Sequence, residues 1–295
     1  MKKCGYVTKV GKPNAGKSTL INTLLNFKLS IVNKKAQTTR NKILGVLTEK
    51  DYQIIFIDTP GIFEPKYELQ KFMFDDLKSS LIDADVILFV VDCLRYKKED
   101  IEEFYNRFGK GVNEKKIIFV LNKIDKSNND EVNKITDDLA KIFNILKIIA
   151  ISALSGFNIN GLISLIIECL PESEFLYDPE TMTDRPEKFF VAEIIRQKVL
   201  DLFEDEIPYS VFVDIREFNE REKGKDFINA EIIVERETQK GILLGKGGIM
   251  IKKLGQLART DIENLLHREI FLQLFVKVRK DWKKDKAFLK GNFGK

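Results

Sequence analysis

GKPNAGKST, residues 11–19, lies between the apolar run Tyr6–Val10 and a stretch with helical spacing, Lys17–Leu25. Within it Gly11, Gly16, Lys17 and Ser18 fall in register with G-x-x-x-x-G-K-[ST], the pattern of a loop that wraps phosphates. A triphosphate is densely negative, and backbone N–H groups at a helix N-terminus hold it well if glycines let the chain curl. Lys17 would then reach the β- and γ-phosphates, and the Ser18 hydroxyl would ligate Mg²⁺. A glycine-rich turn before a helix can match the pattern by chance, so the reading depends on the segments downstream.

Two such segments support it. Phe56-Ile57-Asp58-Thr59-Pro60-Gly61 ends an apolar run in an acid, with a glycine three residues later. There Asp58 would hold Mg²⁺ through water, and the Gly61 N–H would sense the γ-phosphate. Asn122-Lys123-Ile124-Asp125 follows the run Lys116–Leu121. A carboxylate at 125 accepts two hydrogen bonds from the ring N–H and amine of guanine, a donor pair that adenine lacks. Asn122 is expected to brace the loops and the stem of Lys123 to cover the base. Ser152-Ala153, after Lys147–Ile151, is expected to offer a backbone N–H to the guanine carbonyl. The nucleotide-binding set is therefore Gly11, Lys12, Pro13, Asn14, Ala15, Gly16, Lys17, Ser18 and Thr19, with Asp58, Thr59, Pro60, Gly61 and Ile62, then Asn122, Lys123, Ile124 and Asp125, and Ser152 with Ala153.

These motifs sit at the ends of apolar runs in an alternating pattern. Ile43–Thr48 and Tyr52–Ile57 read as strands joined by a polar turn. Val86–Asp92, Lys116–Leu121 and Lys147–Ile151 are apolar on both faces, as parallel strands buried under helices must be. Helical spacing marks Lys98–Phe108, Asp130–Phe143 and Asn160–Leu170. The expectation over residues 1–170 is an α/β P-loop NTPase G-domain with a doubly wound sheet and functional loops at the carboxyl ends of its strands.

Residues 171–187 (PESEFLYDPETMTDRPE) carry three prolines, many acids and no periodicity, and read as an interdomain linker. Beyond it, over 188–295, the order changes. Lys188–Phe203 reads as a helix, Tyr209–Phe218 and Asp226–Glu235 as strands, and Thr238–Leu244 as a short helix. A glycine-rich turn at Gly245–Gly248, a helix at Ile249–His267, a strand at Ile270–Val278 and a last short helix from Asp281 complete an α+β domain.

The chain has 295 residues and a net charge of only +4, but its charge is unevenly spread. From Pro171 to Glu237 there are 9 Lys+Arg against 19 Asp+Glu, whereas Thr238 to Lys295 holds 14 against 5, a local +9. A basic segment of this kind suggests a surface for a polyanion. The three cysteines, Cys4, Cys93 and Cys169, show no metal-like pairing and fit a reducing cytoplasm. No apolar run approaches the roughly 20 residues of a membrane span.

With GKPNAGKST (Gly11–Thr19), KAQTTR (Lys35–Arg40), DTPG (Asp58–Gly61), NKID (Asn122–Asp125) and ISA (Ile151–Ala153), the chain resembles the Era family of translational GTPases. The resemblance implies GTP and GDP as ligands, GTP hydrolysis, and a first switch over Gln37–Asn41. A switch threonine, Thr39 or Thr38 with Thr39 favoured, would close on Mg²⁺ beside Ser18 and Asp58. Many GTPases carry a glutamine after the DxxG glycine to orient water; here Ile62 stands in its place. The catalytic set is then Lys17, Thr39, Asp58, Gly61 and Asn14, acting by positioning and charge neutralisation. In similar GTPases a hydrophobic residue at this place goes with a K⁺ ion held partly by the phosphate-loop asparagine, which Asn14 matches, so slow, K⁺-stimulated turnover is implied.

In the second domain Gly245 and Gly248 form a G-x-x-G between helices, where a sugar-phosphate backbone could approach closely. Alone this would more often be a helix terminator. The local charge, the flanking helices and the α-β-β-α-α-β order look like a type II KH domain, and VERETQKGILLGKGGIMIKKLG (Val234–Gly255) resembles the KH signature of the same family. The expected RNA-binding residues are Gly245, Lys246, Gly247, Gly248, Ile249, Lys252, Lys253 and Arg259, with Ile251 adding apolar floor. The resemblance implies as partner the three-prime end of 16S rRNA on the 30S subunit, with the protein a monomer assisting rRNA processing and subunit assembly in the cytoplasm. A different class, a signalling GTPase peripherally associated with the inner membrane and coupling growth to division, would use the basic tail for anionic lipid. A pure RNA-binding module is disfavoured by the intact Lys17, Ser18, Asp58 and Asp125.

Overall fold

All seven residues of Val86–Asp92 (VILFVVD) are buried, so this strand must lie inside a sheet covered on both faces. A computed structural model of the chain describes residues 1–35, 38–112, 114–143 and 147–293. It divides into two compact units, Met1–Lys66 with Gln70–Asp184, and Tyr67–Leu69 with Arg185–Lys295.

The first unit is built on β1 (Lys3–Val10), β2 (Ile43–Thr48), β3 (Tyr52–Asp58), β4 (Val86–Asp92), β5 (Lys116–Asn122) and β6 (Ile148–Ala150). They form a six-stranded sheet in the order β2-β3-β1-β4-β5-β6, with only the β2–β3 pair antiparallel. The helices are α1 (Lys17–Leu25), α2 (Glu68–Asp83), α3 (Lys98–Val112), α4 (Asn129–Phe143) and α5 (Ile159–Cys169). Strand order reverses at β1, where phosphate ligands of open α/β sheets bind. Helix α2 is not among the segments expected from periodicity, although Leu69, Met73, Leu77 and Leu81 recur every four residues and are buried. Phe74, Leu77 and Leu81 join Phe89, Phe104, Phe108 and Phe119 in the core on one face of the sheet.

The stretch 171–187 differs from the expectation of a linker. Over residues 171–184 it packs on the first unit. Lys3 bridges Glu172 and Gly45 bridges Thr183, while the Val46 N–H donates to Met182 O at 2.9 Å and the Leu44 N–H to Asp184 Oδ1 at 2.9 Å. β2 is the outer strand of the sheet, and this segment covers its edge, which would otherwise offer unpaired backbone groups. One fully buried amide, Gln53, holds the segment's middle. Its Oε1 accepts from Leu176 N and Tyr177 N at 2.9 and 3.0 Å, and its Nε2 donates to Tyr177 O at 2.9 Å. Prolines and acids exclude a helix here, but they do not exclude packing.

The second unit contains α6 (Glu187–Leu202), α7 (Ile207–Ser210), β7 (Phe212–Asn219), β8 (Asp226–Val234), α8 (Glu237–Leu244), α9 (Ile249–Leu266), β9 (Ile270–Val278) and α10 (Lys286–Phe293). Its sheet runs β7-β8-β9, antiparallel then parallel, with α6 and α9 burying Val191, Ile195, Leu254, Ala258 and Ile262 against it. β7 starts at Phe212 rather than Tyr209 because Pro208, preset for a first helical turn, places residues 207–210 in α7.

Replacing Gln53 by Ala is expected to leave three backbone groups of 176–177 without partners, at about 1–3 kcal/mol each. Hydrogen exchange at Leu176 and Tyr177 should quicken well before the rest of the first unit. Unchanged protection there would contradict the pinning role.

Candidate functional site

The phosphate loop joins the end of β1 to α1, and its conformation demands glycine at two places. Gly11 has φ 142°, and a Cβ there would lie 2.3 Å from Val90 O. Gly16 has φ 92°, and a Cβ would lie 2.2 Å from Asn122 Nδ2. Asn14 is also left-handed, at φ 64°, a conformation asparagine tolerates better than most residues. These positive φ values fold the chain tightly just ahead of α1, whose N-terminus is the kind of place where anions bind.

Lys17 is buried, and its ammonium donates to Gly11 O and Lys12 O at 2.9 and 2.7 Å. Burial, and after it the neighbouring Lys9 ammonium, pulls its pKa down to about 7, with Asp58 opposing. A Cβ added at Gly61 would sit 3.0 Å from Lys17 Nζ, so the DxxG glycine lies against the loop lysine. Asp58, at the end of β3, is fully buried, and its carboxylate accepts from Ser30 Oγ and pairs with Lys9 Nζ. Thr59 is also fully buried, with its Oγ1 3.4 Å from Lys9 O. The Ser18 and Thr39 hydroxyl oxygens lie 3.5 Å apart, which brings the loop hydroxyl and the candidate switch threonine together. Gln37, at the start of the expected switch, lies outside the described residues.

Ile62 packs against the core that includes Val10 and Phe89, so nothing at that position could orient water. Lys12 turns away from the loop, its ammonium on Asp100 at 3.0 Å and near Glu103. Pro13 and Asn14 are exposed while Ala15 is buried, and Asn14 Nδ2 donates to Lys34 O at 3.0 Å. Thr19 and Pro60 flank these contacts, within α1 and just beyond β3.

The other loops converge through Asn122, the last residue of β5. Its Nδ2 donates to Ala15 O at 2.9 Å, and its Oδ1 accepts from Ala153 N at 2.9 Å. Lys123, left-handed at φ 70°, reaches back to Asn14 O at 2.7 Å and Asp92 Oδ2 at 2.6 Å. Its stem thus spans the gap between loops. Ile124 opens the short turn that carries Asp125. Asp125 is exposed, held through Oδ1 by the Ser152 hydroxyl at 2.6 Å, so its carboxylate is oriented yet open to a ligand.

The Ser152 N–H donates to Phe157 O at 3.2 Å and the Ala153 N–H to Asn122 Oδ1 at 2.9 Å, bonds that hold this loop against the N-K-x-D turn. The Ser152 hydroxyl, a contact across 27 residues that no local motif signals, is the group that fixes Asp125.

In the second unit, α8 ends at Gly245 and α9 begins after Gly248. Gly245, Gly247 and Gly248 all have positive φ, at 70°, 62° and 78°. Nothing lies within 4 Å of a Cβ built on Gly247, so a backbone could approach from outside. Lys246, Lys252 and Lys253 are exposed, and Ile249 is 65% exposed. Two of the expected residues have other neighbours. Ile251 packs against the domain core, and Arg259 lies ten residues, about 15 Å, along α9 from Ile249, with Glu263 as partner at 3.9 Å. On a helix, charge clustered in sequence spreads in space.

Residues 6–123 match the family described as 50S ribosome-binding GTPase, and residues 206–283 match the KH domain. GTPase Era of Alkaliphilus oremlandii is 43% identical over 290 residues, covering 98% of this chain and 97% of that protein. GTPase Era of Clostridium botulinum is 40% identical, with 98% of each chain covered. Among solved structures, Era in complex with MgGDPNP and nucleotides 1506–1542 of 16S ribosomal RNA superposes with a TM-score of 0.94 at 42% identity, covering 100% of this chain and 99% of that one. A variant of Aquifex aeolicus Era bound to GDP·AlF4⁻ gives 0.93 at 42%, with 99% of each chain covered. With its motif loops gathered at the carboxyl ends of the strands and a KH fold behind them in sequence, the chain belongs to the Era family of GTPases.

Proposed function

We propose that the first unit binds and hydrolyses GTP and that the second binds the three-prime end of 16S rRNA during assembly of the 30S subunit. The observation that supports this best is the oriented, open Asp125 held by Ser152 at the far end of the braced phosphate loop. A similar Era holds MgGDPNP and a 16S rRNA segment together.

The donors near Asp58 fit Mg²⁺, which takes oxygen ligands and keeps several waters. Ser18 and Thr39 would hold it directly and Asp58 through water. When bound, it would neutralise charge on the phosphates. Lys17, once its ammonium leaves the loop carbonyls, pairs with the phosphates, and the Gly61 N–H reads the γ-phosphate. The Gly11–Thr19 backbone orients the chain of phosphates, and Asp58 to Ile62 close the same side. With Ile62 in the core, no side chain there activates water, so turnover is slow. Asn14 is anchored by its Nδ2, and its amide oxygen is the atom that would hold a K⁺ ion, whose charge would offset that of the phosphates and raise the rate. Residues 1–170 act as the switch and 188–295 as the RNA reader, in a monomeric cytoplasmic protein. No helix among the described residues is long and apolar enough to cross a membrane.

Hydrolysis should run at least severalfold faster in KCl than in NaCl, and Asn14→Ala should abolish the difference. Equal single-turnover rates in both salts for the unmodified protein would contradict the K⁺ reading. Lys246→Glu should weaken binding of a single-stranded 16S three-prime oligonucleotide by about tenfold or more and flatten its salt dependence by about one counterion, with GTP affinity unchanged. Binding that survives this change, or that follows anionic vesicles instead, would contradict the RNA assignment.

A further inference from the structure

Lys9 sits in the middle strand β1, between Thr8 and Val10, and is 1% exposed. A lysine in a position buried on both faces is rare unless paired. Among the described residues its ammonium pairs with Asp58 and makes no hydrogen bond beyond that ion pair. An ammonium has three donors to satisfy, so this group is left under-coordinated. Apolar residues in place of such a pair are often as stable or more so. Stability therefore does not account for Lys9, and its location suggests what does. Asp58 is the carboxylate at the end of β3, facing the loop that carries Lys17 and Ser18. Its charge is balanced before any metal or phosphate arrives.

We propose that Lys9 is a resident counter-cation of the nucleotide site: it occupies the charge of Asp58 and lowers the dependence of nucleotide binding on Mg²⁺. The inference rests on reading Asp58 as the Mg²⁺-side carboxylate. A divalent ion approaching Asp58 meets a carboxylate already paired and an ammonium beside it, so its binding is weakened. The same ammonium adds fixed positive charge near bound phosphates, so nucleotide is held partly without the metal. Lys9 touches neither substrate nor metal and acts through Asp58, as a positioning residue.

The test is release of fluorescently labelled GDP from the full chain, measured against free Mg²⁺. In the unmodified protein, EDTA should quicken release less than tenfold; a quickening of tenfold or more overturns the proposal. In Lys9→Met, the Mg²⁺ concentration giving half-maximal retention should fall about tenfold, and release in EDTA should quicken relative to the unmodified protein. Lys9→Gln, whose amide can still donate to Asp58, should fold where the methionine does not and show the same shift. A shift below threefold, or in the opposite direction, in whichever variant folds also overturns it. If the unmodified protein bound no guanine nucleotide at all, the reading of the site itself would fall. Binding with an unaltered Mg²⁺ response would remove only the role of Lys9.

Discussion

Both ends of the Asn122 side chain are spoken for: the amide nitrogen holds the phosphate loop at Ala15, and the amide oxygen holds Ala153. Loops that meet at strand ends have few backbone bonds to each other, and each would otherwise sample its own conformations. One buried amide replaces that freedom with a fixed separation between the phosphate end and the base end of the site. A Cβ at Gly16 would collide with Asn122 Nδ2. With asparagine at the start of the N-K-x-D turn, the loop position facing it must be glycine. Lys123 adds a second tie, from Asn14 O to Asp92.

The site's electrostatics follow from this packing. Lys9 is buried in an ion pair with Asp58, and Lys17, also buried, sits on the carbonyls of Gly11 and Lys12 and feels both charges. Burial and the Lys9 charge push Lys17 toward its neutral form, a cost that a polyphosphate would relieve by supplying negative charge. Buried basic groups are thus gathered beside the phosphate loop, while the N-K-x-D turn offers an oriented carboxylate, Asp125. The second unit uses another device for the same kind of ligand. Three left-handed glycines and exposed lysines form an open approach rather than a cage, suited to a backbone passing by.

Much of this could be read from the residues because the motifs are local. A phosphate loop, an acid at a strand end and an N-K-x-D turn each act within a few residues, and the alternating apolar runs place them at the carboxyl ends of one sheet's strands. Contacts made across long sequence separations could not be read in that way. Gln53 and Tyr177 are 124 residues apart, so composition alone reads 171–187 as a linker. Lys9 reads as one polar residue in a strand until β3 brings Asp58 to it. The Ala153 N–H is free in sequence terms and engaged in space, and Arg259 belongs to a basic run but is carried away from the loop by the rise of α9. Helix α2 is the exception: its four-residue period was present in the residues themselves.

The account stands on Asp125 selecting the base. Competition of GTP and ATP for the labelled-GDP site measures this directly, in the unmodified protein and in Asp125→Asn. Loss of two hydrogen bonds to a charged group corresponds to about 3 kcal/mol or more, upwards of a hundredfold. The unmodified protein is therefore expected to prefer GTP over ATP by at least that factor, and the asparagine variant to lose GTP while accepting xanthosine triphosphate. Comparable affinity for GTP and ATP in the unmodified protein would contradict it.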